Sequence, residues 1–274
     1  MSAAVTLDPA APVKVDRDGD VAILSLNRPD AANALDFALA DSLHDAARRL
    51  AAEGWARAIV IRGEGRMFCG GGDVAAMGAN LEKGGDALAG FIRDLVGRYH
   101  RAVLALLDLD APILAAVHGV AAGAGMSLVL SADLAYGTPK ARFVPAYPGI
   151  GFSADGGMTW FLPRVVGERK AAELLLLNRP VGAADAAALG ILTDVIDAEG
   201  AAFDAAVLDR ARTIAAGPRR AFGRIRRLLR DAGAASLREQ LDAEAEAMIA
   251  LAPGPDVAEG LAALAGKRAP RFTE

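Results

Sequence analysis

The sequence has few of the residues that form crosslinks or hold metal ions. Its 274 residues include one cysteine, Cys69, and three histidines. A single thiol cannot form an intramolecular disulfide, so we expect a reducing compartment, the cytoplasm. His44, His100 and His118 do not have the spacing of metal ligands, and Cys69 has no second cysteine to join it, so no metal site is predicted.

An excess of one charge and a long apolar run are also lacking. Thirty Lys and Arg residues offset 34 Asp and Glu residues, and the net charge of -4 indicates neither a nucleic-acid nor a membrane partner. The first twenty residues contain four aspartates and no apolar centre, unlike a secretory signal. The most apolar stretch, 102–132, is interrupted by Asp108, Asp110, Pro112 and His118, which is unfavourable for a membrane span. We therefore expect a soluble protein.

The residues that are abundant predict a globular α/β chain with a core of small aliphatic side chains. Hydrophobic residues make up 53% of the sequence and aromatic residues 5%. Short apolar runs predict strands, and helical periodicity predicts helices between them. Strands are expected at 21–27, 58–65, 112–119, 134–138 and 191–197, with helices starting at Leu35 and lying at 126–133 and 168–178.

These patterns divide the chain near residue 197. Residues 1–197 are predicted to form the strand and helix core, with 1–13 as a loose lead-in rich in Ala and Pro. Residues 198–274 show only helical patterns and are predicted to form a separate helical region. The glycines in 78–100 suggest a mobile segment, whose conformation the sequence does not define.

Two loops are rich in glycine, "FCGGGDV" (68–74) and "HGVAAGAGMSL" (118–128). Glycines leave backbone NH groups unobstructed, and the second loop does so just before an apolar helix, where amides are unpaired and lie at the positive end of the helix dipole. Two such amides from separate loops can converge on one negative oxygen. Tight turns and close packing are the alternative explanation. A dinucleotide-binding fingerprint and a Walker lysine are missing.

Several motifs taken together resemble one known family. "LNRPDAANALD" (26–36), "FCGGGDV", "PILAAVHGVAAGAGMSLVLSADLAY" (112–136) and "GFSADGGMTWFLPRVVG" (151–167) follow one another as they do in the crotonase superfamily, the enoyl-CoA hydratase/isomerase family. The resemblance covers residues 14–272. It implies a crotonase (ClpP-like) spiral of ββα units with an α-helical C-terminal trimerisation region. It also implies an acyl-CoA thioester substrate, with coenzyme A as part of the substrate and no further cofactor, and a homotrimer or a dimer of trimers.

For the two loops, the resemblance implies an oxyanion hole. The family holds the thioester oxygen with two NH groups, which correspond here to Gly72 and Ala124, and Ala124 replaces a usual glycine. That replacement matters little unless the backbone needs a positive φ. The resemblance also places Arg28 near the CoA phosphates and Lys267, often supplied by a neighbouring subunit, at the 3′-phosphate; a solvated surface charge is the alternative for each. The implied CoA-binding residues are Arg28, Gly70, Gly71, Gly72, Asp73, Val74 and Lys267.

The acids of the typical hydratases of this family are missing. Those enzymes use two glutamates, and this chain has Ser127 at one of the corresponding positions and Tyr147 at the other. A serine hydroxyl is not a base near neutral pH and an unperturbed phenol ionises near pH 10, so the common hydratase mechanism is disfavoured.

Asp155 in "GFSADGGMTW" is the remaining acid in the region. Its position is similar to that of the catalytic aspartate of certain isomerases in the superfamily, including those that act on ring-type acyl-CoAs, and to that of the nucleophilic aspartate of the aryl-CoA dehalogenases. A cap on a helix that begins near Met158 is the alternative role. Burial among Phe152, Trp160 and Phe161 is expected to raise the pKa of Asp155.

The resulting prediction is an enoyl-CoA isomerase that shifts a 3-enoyl to a 2-enoyl thioester through a dienolate. Asp155 carries the proton, and the amides of Gly72 and Ala124 hold the oxygen. The alternatives are a hydratase with altered residues, a dehalogenase-like enzyme in which Tyr147 takes the place of a tryptophan, a non-catalytic acyl-CoA binder and a plain nucleotide-binding α/β protein. His100 is expected at the surface or in packing, with a position facing the pocket as the alternative. Apolar positions in the C-terminal region are expected partly in the core and partly at a subunit interface: Leu228, Leu229, Leu237, Leu241, Met248 and Ile249.

Overall fold

A six-stranded sheet forms the centre of the computed structural model, which describes residues 10–273. Its strand order is β1-β2-β3-β4-β6-β9, and all neighbours are parallel except β1 and β2. The strands are β1 (Val13–Asp18), β2 (Val21–Leu26), β3 (Ala58–Gly63), β4 (Ile113–Val117), β6 (Leu134–Gly137) and β9 (Asp194–Val195). The central strands are apolar on both faces, as β4 with five buried residues shows, because helices cover both sides of the sheet.

A smaller sheet of three short strands lies beside the first. It contains β5 (Val120–Ala122), β7 (Arg142–Val144) and β8 (Val181–Gly182), with β5 parallel to β7 and β7 antiparallel to β8. Since β5 follows β4 after a turn at Gly119, the chain leaves the large sheet and enters the small one within the second glycine-rich loop.

Eleven α-helices occur within the described residues. They are α1 (Phe37–Glu53), α2 (Val74–Leu81), α3 (Gly85–Leu107), α4 (Ala124–Ser131), α5 (Met158–Val166), α6 (Glu168–Leu176), α7 (Ala183–Ala188), α8 (Gly200–Ala215), α9 (Arg219–Asp231), α10 (Leu237–Leu251) and α11 (Pro255–Ala265). Asp36 caps α1 by accepting a hydrogen bond from the Leu39 amide at 2.8 Å, so this helix begins two residues after the apolar pattern does.

Two apolar clusters hold the layers together. The larger one packs α1, α3 and α4 on one face of the large sheet. The smaller one packs Phe203, Val207 and Ala211 of α8 on the other face, against Ala58 and Val60 among others. The first helix of the C-terminal region therefore shares the core of the strand-rich part.

Several sequence-based expectations need correction. Residues 1–9 of the expected lead-in lie outside the described residues, and Val13 already belongs to β1. The strand expected over 191–197 is reduced to Asp194–Val195. The segment 78–100, expected to be mobile, lies almost entirely in α2 and α3, and the second of these packs closely on α1 through one buried face. Helical periodicity within this segment outweighs its glycines.

The C-terminal helices leave apolar side chains uncovered. Leu228 is half-buried, and the other five positions expected in the core or at an interface are exposed. The exposed positions are Leu229, Leu237, Leu241, Met248 and Ile249. In residues 10–273 no helix meets the length and hydropathy of a membrane span by itself, and α10 with α11 meets it only as a pair bent by 84°.

Candidate functional site

The two glycine-rich loops pack directly on each other. The Cys69 amide donates to the Val120 carbonyl at 3.1 Å, and the Ala122 amide donates to the Cys69 carbonyl at 2.9 Å. A Cβ atom on Gly125 would lie 2.6 Å from the Cβ of Cys69, closer than carbon atoms can approach. Small residues in the second loop are therefore needed for close packing, which is one of the two explanations given for its glycines. The same packing places both loops at one cavity.

The cavity between these loops has a volume of about 570 Å³ and is lined by both Gly72 and Ala124. Within residues 10–273 neither of their amides donates a hydrogen bond to the protein. The bonds from Leu35 to Gly71 and from Asp73 to Leu35 fix the backbone on either side of Gly72. Ala124 is the first residue of α4, where an amide lacks an intrahelical partner. Two fixed, unpaired donors in a shared cavity can stabilise a negative oxygen.

Alanine is tolerated at position 124 because the unusual backbone conformation lies one residue earlier. Gly123 has φ 49° and ψ -120°, whereas Ala124 has a negative φ. Glycine is therefore not required at position 124, because the backbone does not need a positive φ there.

Asp155 and Tyr147 both line the cavity and contact each other. The Tyr147 hydroxyl donates to Oδ1 of Asp155 at 2.5 Å. Burial raises the pKa of Asp155 above its ordinary value, and the hydrogen bond from Tyr147 opposes that rise. Burial, and then the neighbouring carboxylate, raise the pKa of Tyr147 above the range of an ordinary phenol. Tyr147 therefore stays protonated and acts as a donor.

The side chain of Asp155 does not cap α5. Gly157 is the N-cap residue and makes no side-chain capping bond, while the Asp155 carbonyl accepts from the Met158 amide at 3.1 Å. The carboxyl group is thus directed to Tyr147 instead of the helix, and the capping role considered from the sequence is wrong.

Ser127 lies at the junction of these groups and is fully buried. Its Oγ is 2.9 Å from the Asp155 carbonyl, 3.2 Å from the Tyr147 hydroxyl and 3.3 Å from the Gly123 carbonyl. One hydroxyl proton can serve only one of these acceptors at a time. Ser127 therefore supports the turn that carries Asp155, and it does not supply an acid.

Gly156 allows the carboxyl-bearing turn to approach the core. It has φ 60°, and a Cβ there would lie 2.4 Å from the ring of Tyr99 and 2.9 Å from the Cβ of Ser127. Tyr99 in turn donates to the Ala124 carbonyl at 2.7 Å, which links this turn to the oxyanion loop.

His100 is exposed, as expected from the sequence, and it also lies at the site, as the alternative held. Its Nε2 accepts from the Gly156 amide at 3.2 Å, and its ring lines the same cavity as Asp155. The sequence contains a signal for this position, since Ile92, Val96 and His100 recur at four-residue spacing on α3 and all line the cavity.

The aromatic surroundings of Asp155 differ from the expectation. Phe152 lines the cavity with Asp155, as expected. Trp160 and Phe161 line a neighbouring groove instead, and Trp160 is 43% exposed. Helix α5 carries these two rings away from the carboxyl group, so they do not contribute to the lining around it.

Of the residues proposed for coenzyme A, Gly70, Gly71, Gly72 and Val74 line the cavity. Asp73 instead caps α2 by accepting from the Ala76 amide at 3.1 Å. The Arg28 guanidinium donates to the Ala34 carbonyl and forms ion pairs of 3.2 Å with both Asp36 and Asp73. Lys267 is exposed beyond the end of α11. Within residues 10–273 no three His, Cys, Asp or Glu side chains form a group suited to a metal ion.

The fold and the cavity define a class of protein. Two unpaired backbone amides and one carboxyl group share a cavity beside the mainly parallel sheet. An enzyme that stabilises an oxyanion and transfers a proton needs these groups. A family model described as enoyl-CoA hydratase/isomerase matches residues 16–274. The chain belongs to this family of acyl-CoA-processing enzymes and has the crotonase fold.

Individual relatives carry three different activities in their names. The chain is 37% identical to a "Probable enoyl-CoA hydratase" of Rhodobacter capsulatus, over 92% of this chain and 94% of that protein. It is 33% identical to the 1,2-epoxyphenylacetyl-CoA isomerase of Escherichia coli, over 92% and 95%. It is 32% identical to 4-chlorobenzoyl coenzyme A dehalogenase-2 of an Arthrobacter species, over 93% and 91%. The crystal structure of an enoyl-CoA hydratase from Polaromonas sp. JS666 matches with a TM-score of 0.87 and 31% identity, over 95% of this chain and 99% of that one.

Proposed function

We propose that the chain is an enoyl-CoA isomerase that shifts a 3-enoyl thioester to a 2-enoyl thioester, with Asp155 as its one proton carrier. The observation that supports this most is the lining of the cavity. Among residues 10–273, Asp155 has the only carboxyl side chain that lines it, together with Gly72 and Ala124. Isomerisation needs one group that removes a proton and returns it, whereas hydration needs water activated by one group and a proton delivered by another.

In this mechanism the Asp155 carboxylate removes a proton from the α-carbon of the 3-enoyl thioester. The C–H electron pair forms a double bond between the α-carbon and the thioester carbon, and the carbonyl electron pair moves to the thioester oxygen, which becomes negatively charged. The original β,γ double bond is kept in this dienolate, and the α,β double bond forms when the γ-carbon takes the proton. The amides of Gly72 and Ala124 stabilise that dienolate oxygen. The protonated Asp155 then returns the proton to the γ-carbon, which leaves the conjugated 2-enoyl product and the original carboxylate. Removal of one oxyanion donor typically slows such a reaction by roughly 10²–10³-fold.

Tyr147 supports the proton transfer without taking part in it. Its hydrogen bond favours the ionised form of Asp155, which burial alone would disfavour. The bond engages Oδ1, so Oδ2 is the oxygen available to the substrate proton. Burial thus makes the carboxylate a stronger base, and the hydrogen bond from Tyr147 limits the rise in its pKa.

A second candidate function is displacement of a halide from an aryl-CoA ring, with Asp155 as nucleophile. The position of His100 in the same cavity favours it, because an aryl–aspartyl ester must be hydrolysed by water that a base activates. The bond from Tyr147 opposes it, because a hydrogen-bonded carboxylate is a weaker nucleophile. Hydratase activity would likewise need His100 as the second proton-transfer group.

The proposal includes an assembly. The exposed apolar side chains of α9, α10 and α11 support association of subunits into trimers, and Lys267 would reach coenzyme A from such an assembly. Binding of the CoA moiety over the 70–74 loop is supported by the residues of that loop that line the cavity.

Turnover of a 3-enoyl-CoA, followed by the rise in conjugated-thioester absorbance, tests the proposal. We expect activity in the native protein and a loss of about 10²–10⁴-fold in Asp155→Asn, with CoA-ester binding retained. Asp86→Asn, in the first turn of α3 and outside the cavity, is the matched control. Hydration of a 2-enoyl-CoA or chloride release from 4-chlorobenzoyl-CoA, without isomerisation, would replace this proposal with one of the alternatives.

A further inference from the structure

The chain makes a strained turn immediately before Tyr147. Ala146 has φ 68° and ψ -38°, and the Tyr147 amide donates to the Pro145 carbonyl at 2.9 Å. A bond between residues two apart around a positive-φ centre is a γ-turn of the rare, strained kind. Such a conformation persists at a non-glycine residue only where the surrounding structure holds it.

The side chain of Asn178 contacts this turn from another part of the fold. Its Oδ1 accepts from the Ala146 amide at 2.8 Å, across 32 residues of sequence. Its Nδ2 lies against Gly149, where an added Cβ would be 3.0 Å away. Asn178 therefore touches both ends of the segment 146–149, yet it does not line the cavity.

We propose that Asn178 is a positioning residue that holds the γ-turn at Ala146 and thereby presents the Tyr147 hydroxyl to Asp155. The proposal rests on the proposed isomerase activity for its consequence in catalysis. Two consecutive contacts connect Asn178 to Asp155. Asn178 accepts from the Ala146 amide, and the hydroxyl of the adjacent Tyr147 donates to Asp155 at 2.5 Å.

Asparagine combines two properties that this position uses. Asn178 follows α6 with φ 48°, a left-handed conformation that asparagine and glycine adopt more readily than other residues. It also carries the acceptor for Ala146. Asn178→Gly keeps the backbone conformation and removes the acceptor, whereas Asn178→Asp keeps an acceptor oxygen. The two variants therefore separate the role of the side chain from that of the backbone.

The groups around Asp155 define what loss of the turn should change. Tyr147 donates to the carboxylate, Tyr99 and His100 face it from α3, and Arg93 lines the same cavity. Only Tyr147 is connected to Asn178 through the turn. If the turn relaxes, the carboxylate loses a hydrogen bond that favours its charged form, and Asp155 should ionise at a pH higher by roughly one unit.

The experiment compares the full-length native protein with Asn178→Gly, Asn178→Asp and Tyr147→Phe, with Asn80→Ala as control. The Asn80 side chain bonds locally, donating to the Ala76 carbonyl at 2.9 Å and accepting from Lys83 at 3.5 Å. Hydrogen exchange of residues 145–152 reports the turn, and the infrared carbonyl band of protonated Asp155, identified by its absence in Asp155→Asn, reports ionisation. We expect faster exchange and an upward ionisation shift of roughly one pH unit in Asn178→Gly, with recovery in Asn178→Asp. The acidic limb of kcat/KM should move by the same amount.

Two results would overturn the proposal. Unchanged exchange in Asn178→Gly would mean that the tether does not hold the turn, and faster exchange with unchanged ionisation would mean that the turn does not position Tyr147. Neither readout requires turnover, so a native protein inactive on 3-enoyl-CoA would refute the isomerase proposal while the positioning role is still decided.

Discussion

The Tyr147 hydroxyl lies 2.5 Å from Oδ1 of Asp155 and donates a hydrogen bond to it. This contact joins a residue that cannot act as a base to the one carboxyl group of the cavity, within the described chain. Burial disfavours the charge on Asp155 and the Tyr147 bond favours it, so the ionisation of the site depends on both.

Removal of that hydroxyl should change the pH dependence of activity. Tyr147→Phe takes away an interaction with the charged form of Asp155, so the pKa of the carboxyl group rises further. Activity needs the carboxylate and falls as pH drops through this pKa. The acidic limb of kcat/KM should therefore move to higher pH by roughly one unit. Tyr136→Phe, in the other apolar cluster, is the control, and an unmoved limb in Tyr147→Phe would contradict the role given to the bond.

The buried carboxyl group of Asp155 should also lower the stability of the native protein at neutral pH. Since burial raises the pKa of Asp155 in the native state above its ordinary value of 3.8, the native state holds the proton more tightly than the unfolded state. The stability associated with the neutral acid is complete below that ordinary value and is lost as pH rises through the raised pKa. We expect Asp155→Asn to have a higher Tm than the native protein at neutral pH.

Thermal unfolding at a series of pH values measures this effect. The difference in Tm between Asp155→Asn and the native protein should shrink as pH falls towards the ordinary value of the carboxyl group, 3.8. A variant less stable than the native protein at neutral pH would show that the carboxylate is net stabilising.

The turn that carries Asp155 should tolerate no side chain at its next residue. Gly156→Ala requires alanine at φ 60° and brings its Cβ to 2.4 Å from the Tyr99 ring, so we expect a loss of about 2–5 kcal/mol. Gly151→Ala is the matched control, since Gly151 has φ 78° but no heavy atom within 4 Å of an added Cβ, and it should cost only about 1–2 kcal/mol. Chemical denaturation gives both values, and equal losses would remove the argument for close packing at position 156.

Arg28 should act within the protein more than on coenzyme A. Its guanidinium lies between Asp36 and Asp73, so the group of three carries net negative charge and offers little attraction to a phosphate. We expect Arg28→Ala to raise KM equally for a CoA ester and for the corresponding pantetheine thioester, which lacks the nucleotide phosphates. Arg48→Ala, exposed on α1, is the control. A rise confined to the CoA ester would establish the phosphate contact that the family resemblance implies.

The contribution of the Arg28–Asp73 ion pair to protein stability gives an independent check on this role of Arg28. In a double-mutant cycle of Arg28→Ala and Asp73→Ala, the coupling energy should be about 1 kcal/mol, at the upper end for an ion pair with some solvent exposure. Additive losses would mean that the two residues act separately, and the ion pair would then add nothing to the backbone bonds that fix Gly72.

Local pattern in the sequence predicted five of the six strands of the large sheet, the helical C-terminal region and the two glycine-rich loops, but not β1 or the strands of the small sheet. The choice of Asp155 came from the resemblance to the family, since local pattern alone favoured a helix cap. Apolar periodicity and glycine content depend on neighbours a few residues apart, so a sequence displays them directly. That is why the helices of the C-terminal region and the loops around Gly72 and Ala124 were placed well, and why a short, half-exposed strand such as Asp194–Val195 was overextended.

Only the tertiary structure decided which side chains meet at the site. Asn178 reaches Ala146 across 32 residues, Arg28 reaches Asp73 across 45, and Gly156 reaches His100 across 56. Each contact depends on how separate helices and turns pack, and no spacing in the chain encodes it. Packing also removed Trp160 from the surroundings of Asp155. The sequence supplied the chemical groups, and the arrangement of layers fixed their partners, since hydrogen bonds act only over about 3 Å.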